Sequence, residues 1–136
     1  MIKACYVMRA DLPMTHVKFA IQIGHGTDLV HLRGRANPWY DAWLTAATRR
    51  KAVLRAKTEA DLAKIAAACA AAGIAADPIV DEGYTEFGRR TTTGLVIHPT
   101  EEERLPKAVR RLRLMKDADL PAPPALHLES QTEENA

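Results

Sequence analysis

A chain of 136 residues suits one domain with one core and leaves no room for a second of ordinary size. Hydrophobic residues make up 47% and charged residues 26%, as in ordinary globular proteins. No apolar run approaches a membrane span, and Met1-Ile2-Lys3-Ala4 leads straight into a strand pattern without a secretory leader. The expectation is a soluble, cytoplasmic protein with no membrane association. A net charge of +2 is by itself weak evidence for a nucleic-acid partner.

Residues 2–9 alternate Ile2, Ala4, Tyr6 and Met8 with Lys3, Cys5, Val7 and Arg9. Apolar residues on both faces predict a central strand. Pro13 breaks the loop that follows, and Thr15 is placed to cap a helix over about 16–31. Val17, Ile21 and Leu29 are its expected core side. Residues 33–38 interrupt it, and a short helix is predicted over 39–48 with Trp39, Trp43 and Leu44 as its apolar side.

Residues 51–57 read as the second strand. Thr58 then caps a helix, with Asp61 at N3 in place of the usual Glu. Leu62, Ile65, Ala66 and Cys69 follow at helical spacing, and Gly73 sits at the expected C′ position. A third strand is predicted over 74–80, starting late or lying on an edge because of Asp77-Pro78. Residues 81–90 form a long polar loop, and 91–98 a fourth strand. Thr100-Glu101-Glu102-Glu103 has capping-box spacing and predicts the start of a last helix, with Pro106 tolerated near its N-terminus. Leu112 and Leu114 alternate, as in a return to extended chain.

The order is β-α-α-β-α-β-β-α, which favours a layered α/β sheet with an antiparallel pair where the third and fourth strands adjoin. The domain is expected over 1–118, and 119–136 reads as a Pro-rich, then acidic tail without fixed structure. Cys5 and Cys69 lack a CxxC partner and read as buried, reduced thiols.

Lys18, Gln22 and His25 stand at i, i+4 and i+7 and form one polar stripe. Taken alone, such a stripe is a solvated helix face. Gly24 and Gly26 cost roughly 1 kcal/mol each relative to Ala and point to a close contact. Asp81 closes a strand, where acidic residues either line ligand sites or cap turns, and Gly83 fits the second role. Thr85, Thr91, Thr92 and Thr93 supply hydroxyls nearby, although Thr runs also follow β-propensity. GxSxG, Walker and HExxH motifs are absent from the sequence. The histidines 16, 25, 31, 98 and 127 lack a close pair at metal-ligand spacing.

Together these segments resemble the type 2 peptidyl-tRNA hydrolase family. Val7-Met8-Arg9-Ala10-Asp11-Leu12, Met14 and then Lys18-Phe19-Ala20-Ile21-Gln22-Ile23-Gly24-His25 follow the family pattern R-x-D-L-x-M-G-K-G-K-x-A-x-Q-x-x-H. Ile79-Val80-Asp81-Glu82-Gly83-Tyr84-Thr85-Glu86 follows I-x-D-A-G-x-T-Q, and Thr93-Gly94-Leu95-Val96-Ile97-His98-Pro99 follows T-x-L-G-I-G-P. The resemblance covers about residues 2–116. Here Thr15-His16-Val17 replaces G-K-G, Tyr84 replaces an Arg, Glu82 an Ala, Glu86 a Gln, and Arg89-Arg90 replaces Pro-Gly.

The resemblance implies a single domain with a four-stranded mixed sheet flanked by helices on both faces, paired as a homodimer. It implies hydrolysis of the ester joining peptide to tRNA, with no cofactor and no metal. Lys18, Asp81, Thr85 and Thr93 fall on its catalytic positions, and Gln22 and His25 on its helix Gln and His, expected at the substrate. Arg89 and Arg90 are expected to add substrate-binding charge, and Trp39 and Trp43 to cover an apolar patch in the dimer. Lys18 and Asp81 would pair at the site mouth. Asp81, directly or through Lys18, would position or deprotonate water, while Lys18, Thr85 and Thr93 stabilise the oxyanion. Two alternatives stand beside this reading. One is a hydrolase of the same fold acting on another acyl substrate, suggested by Tyr84 and Glu86. The other is a silent RNA- or protein-binding module.

Overall fold

The computed structural model describes residues 1–83 and 87–120. β1 (Ile2–Arg9) leads through a loop to α1 (His16–Leu32), then α2 (Tyr40–Thr45), β2 (Lys51–Ala56), α3 (Glu59–Ala71), β3 (Ala76–Asp81), β4 (Thr91–Glu101) and α4 (Lys107–Arg110). The strands form one sheet in the order β2-β1-β4-β3. β1 runs parallel to β2 and antiparallel to β4, and β4 runs antiparallel to β3. This is the mixed four-stranded sheet expected, with β1 inside and Pro78 on an edge strand, where a missing N–H is tolerated.

The alternation along β1 explains the two layers. Ala4, Tyr6 and Met8 face α1 and α2, where Val30 and Trp43 complete one core. Cys5 and Val7 face the other side, where Leu62, Ile65 and Cys69 of α3 and Val109 of α4 pack. All five of these β1 residues are fully buried, and burial of Val7 or Met8 contributes about 1.5–3 kcal/mol each. Cys5 and Cys69 are unpaired thiols, and burial pushes both up to about 11.

The local signals act as read at several ends. Thr15 Oγ1 accepts from Lys18 N (3.2 Å), and Thr58 Oγ1 accepts from Asp61 N (3.2 Å). Gly73 follows the C-cap of α3 with φ +71°. The Leu112–Leu114 segment does return to extended chain, since Met115 N donates to Val53 O and Arg55 N to Arg113 O. Asp119 is bound by Arg113 at 2.6 Å, and the tail from 121 onward lies outside the described residues. Among the described residues no helix is long and apolar enough to cross a membrane.

Three expectations fail. Thr100 does not start a helix: β4 continues to Glu101, pairing with Ile2 and Lys3, and Glu102 N donates to Met1 O. The ladder bonds outcompete the local cap, a 3-10 turn spans Glu102–Arg104, and α4 begins only after Pro106. On α1, Val17 and Ile21 are exposed, and the buried stripe is Lys18, Gln22, Gly26 and Val30. Trp43 is not an outward patch. It is buried in its own chain, and its Nε1 donates to Arg50 O.

Candidate active site

The stripe of α1 that lies against the sheet is polar for a reason visible across the interface. Lys18 Nζ meets Asp81 Oδ2 at 2.7 Å, and Gln22 Nε2 donates to the same oxygen at 2.8 Å. A carboxylate only accepts, so this contact orients the Gln22 amide and turns Oε1 toward Thr93, whose hydroxyl donates to it at 2.8 Å. Lys18, Gln22, Asp81 and Thr93 are all buried. The stripe is therefore not a solvated face but one side of a closed chain from Thr93 to Lys18.

Each member is held by its element. One helical turn separates Lys18 from Gln22, and a further turn brings Gly26 to the sheet. A Cβ on Gly26 would stand 2.8 Å from the Tyr6 ring and 2.9 Å from Ile79, so only glycine lets α1 lie this close. Gly24 has open space around it and makes no such contact. Thr93 sits at a register shift in the β3–β4 ladder, where Ile79 pairs with Gly94 and Val80 with Thr92. Strict alternation would send Thr93 to the α3 side with Leu95 and Ile97. The bulge turns it to α1 instead.

Asp81 plays both roles that strand-end acids offer. Oδ2 takes Lys18 and Gln22, while Oδ1 accepts from Gly83 N at 2.7 Å. Gly83 has φ +84°, and a Cβ there would overlap the Arg89 backbone. Burial pushes the Asp81 carboxyl up, but the hydrogen bonds from Lys18, Gly83 N–H and Gln22 outweigh it. The group is held below the usual carboxylate value. An anion so stabilised is a weak base and a strong anchor.

Lys18, His25, Ile21 and Asp81 border a cavity of about 390 Å³, with exposed Glu82 at its rim. The Phe87 ring lies 5.7 Å from Lys18 Nζ. Val80 also borders a neighbouring cavity of about 490 Å³ lined by Arg9, Arg89, Arg90 and Thr92. Arg89 and Arg90 are exposed, and Arg90 lies 3.5 Å from Glu82, a solvated pair of small energetic weight. Arg9 is fixed, donating to Asp11 at 2.9 and 3.0 Å and to Thr92 O at 2.9 Å.

The structure thus brings Lys18, Asp81, Gln22 and Thr93 together, with His25 on the same cavity and Arg89 and Arg90 on the next. Thr85, and with it Tyr84 and Glu86, lies outside the described residues. Gln22 and Thr93 are both fully buried, with the Gln22 amide bridging Asp81 and the Thr93 hydroxyl. Sequence reasoning gave no role to Arg9 or Phe87. The Arg9-x-Asp11 spacing at a strand end was the available signal for the first; nothing pointed to the second. Among the described residues no group of three or more His, Cys, Asp or Glu side chains could hold a metal ion.

Residues 2–115 match the family model described as peptidyl-tRNA hydrolase PTH2. The chain is 31% identical over 115 residues to a peptidyl-tRNA hydrolase of Thermococcus onnurineus, covering 83% of this chain and 97% of that one. A peptidyl-tRNA hydrolase of Methanocaldococcus jannaschii is 30% identical over 116 residues, covering 84% and 100%. One from Thermoplasma acidophilum is 28% identical over 119 residues, covering 83% and 97%.

Proposed function

This chain belongs to the peptidyl-tRNA hydrolase PTH2 family, and from that membership we infer that it hydrolyses the ester between peptide and tRNA. The observation that carries the reading is the buried Lys18–Asp81 pair opening on a cavity at the sheet end. Water held at Asp81 attacks the ester carbonyl carbon and passes one proton to neighbouring solvent as the C–O bond forms, leaving a tetrahedral oxyanion. Collapse breaks the bond to the ribose oxygen, which takes a proton from solvent, and the new carboxylic acid releases its own proton to water, so that one proton is freed per turnover. The products are a peptide carboxylate and tRNA with its terminal hydroxyl restored.

Lys18 and Asp81 are the residues assigned to the chemistry. The Lys18 ammonium, held by Asp81, stabilises the oxyanion by charge and by an N–H donor already in place. Asp81 Oδ1 retains acceptor capacity beside Gly83 N–H and orients the water. Its depressed pKa favours this positioning role over proton abstraction. Gln22 and Thr93 act through Asp81, as positioning residues. Thr85, from its place in the family motif, supplies a further hydroxyl. His25 and the Arg89-Arg90 pair hold the acceptor end of the RNA, the arginines by phosphate contact. The chemistry runs on the charge of Lys18 without a metal. A homodimer in the cytoplasm completes the reading, on the family's usual pattern.

Purified protein offered an N-acetyl-aminoacyl-tRNA, an unblocked aminoacyl-tRNA and a simple aryl ester tests this. Release of the acylated amino acid from the first substrate is expected. Cleavage of the aryl ester alone would move the reading to another acyl substrate. RNA binding without release of any product would make the chain a binding module.

A further inference from the structure

All four strands bring an end to the same side of the sheet. Asp81 ends β3 and pairs with Thr91 at the start of the antiparallel β4, Arg9 ends β1 and pairs with Ala56 at the end of β2, and β1 joins β4 near this end through Met8 and Gly94. From Asp81 to Ala56 is three strand spacings of roughly 4.8 Å, about 14 Å in all. The Arg89-Arg90 cavity lies along this end and reaches Glu59 at the start of α3. Beyond the same β2–α3 turn lies a second groove of about 520 Å³, between α3, β2 and residues 108–113.

This groove is basic. Arg55, Lys57, Lys64, Arg111 and Arg113 line it, and among the described residues Asp61 is its single acidic lining residue. Asp119 binds Arg55 at 3.3 Å and Arg113 at 2.6 Å, so both guanidinium groups of that corner are engaged and one of their two charges is offset. Lys57, Lys64 and Arg111 are exposed, with no acidic group within ion-pair distance among the described residues. Ile65, Ala108 and Leu112 give the floor between them. Cations spaced along a groove and left unpaired complement a polyanion, and a reaction cavity on the α1 side and this groove on the α3 side, both at one end of the sheet, suit a ligand long enough to wrap that end.

We propose that the α3–β2 groove is a second RNA-docking surface, in which Lys57, Lys64 and Arg111 hold backbone phosphates of the tRNA body while its acylated end lies at Lys18 and Asp81. This rests on peptidyl-tRNA being the substrate. The groove contributes affinity and orientation, and takes no part in the ester chemistry.

The test uses the full chain carrying Lys57→Ala, Lys64→Ala and Arg111→Ala, exposed positions whose loss leaves the core and the Asp119 contacts intact. Two substrates are compared: an N-acetyl-aminoacyl-tRNA and the same acyl group on a CCA trinucleotide. On the full tRNA, kcat/KM is expected to fall roughly tenfold or more at low salt, with the log–log salt slope shallower by about two to three. On the trinucleotide kcat/KM stays within about twofold of the unaltered chain. An unchanged salt slope on full tRNA, or an equal loss on both substrates, overturns the proposal. If the unaltered chain cleaves the trinucleotide ester, the peptidyl-tRNA reading stands even where the groove fails. A chain ending at Leu120 covers the other occupant: if it gains tRNA affinity and the triple variant cancels that gain, residues 121–136 fill the groove and the RNA assignment falls.

Discussion

Replacing Lys18 by Met removes one charge from a buried pair while keeping an unbranched side chain of similar length. The pair is 2.7 Å apart, and the two side chains are 7% and 6% exposed, so solvent screens it little. Breaking a buried pair from one side typically costs about 3–5 kcal/mol, because the remaining charge is uncompensated. Asp81 keeps two donors, Gln22 Nε2 and Gly83 N, which places the cost near the lower bound, about 3 kcal/mol at pH 7.

The pH dependence carries the diagnosis. With Lys18 present, the folded-state pKa of Asp81 lies below its ordinary value. Its stabilisation is then fully present above the unfolded value of about 3.9 and is lost as pH falls through the lower folded value. In Lys18→Met the hydrogen bond and the charge of Lys18 are gone, so the folded value rises relative to that of the unaltered chain and the variant suffers most where Asp81 is ionised. Urea unfolding of both proteins at pH 7 and at pH 4 measures the difference. The gap should narrow toward the acid end. A gap below about 1 kcal/mol at pH 7, or one that is the same at both pH values, would refute the burial-and-charge reasoning.

Gly83→Ala should lower kcat/KM roughly tenfold or more, because it strains a φ of +84° and displaces the N–H that holds Asp81. Gly88→Ala, with φ +66° but open space around it, is the strain-only control and should keep activity within about threefold. Gln22→Leu should cost about 1–3 kcal/mol in a urea melt by stranding Asp81 and Thr93, and lower kcat with little change in KM. Arg89→Ala with Arg90→Ala should raise KM for peptidyl-tRNA while sparing kcat, with the effect fading as salt increases, as steady-state kinetics across salt would show.

Much of the frame was legible in the sequence because its signals are local. Thr15, Thr58 and Gly73 mark helix ends through their own backbone neighbours, and the alternation of residues 2–9 marks a strand buried on both faces. The direction of α1 was not legible. Val17 and Ile21 lie one position from Lys18 and Gln22, so two stripes compete, and hydrophobicity favours the wrong one. Burial of Asp81 across the interface and the close approach at Gly26 turn the polar stripe inward; both are tertiary facts. Gly26, one turn beyond Gln22, was the clue on the helix itself. The aim of Thr93 depends on a bulge that alternation cannot foresee. Thr100 shows the reverse error, a cap signal overridden because β4 runs three residues further than a local reading allows for, to Glu101. Lys18, Asp81 and Thr93 were found together only through the family motifs, since they are distant in sequence and joined by Gln22.

Single-turnover cleavage of N-acetyl-aminoacyl-tRNA, with enzyme in excess, compares the unaltered chain with Asp81→Asn, which keeps the shape of the side chain and removes its charge. The unaltered chain should release the acylated amino acid, and Asp81→Asn should slow that step by about 10²–10³ once its fold is verified by circular dichroism. Release by Asp81→Asn at a rate within threefold of the unaltered chain would contradict the assignment of the chemistry to the buried Lys18–Asp81 pair.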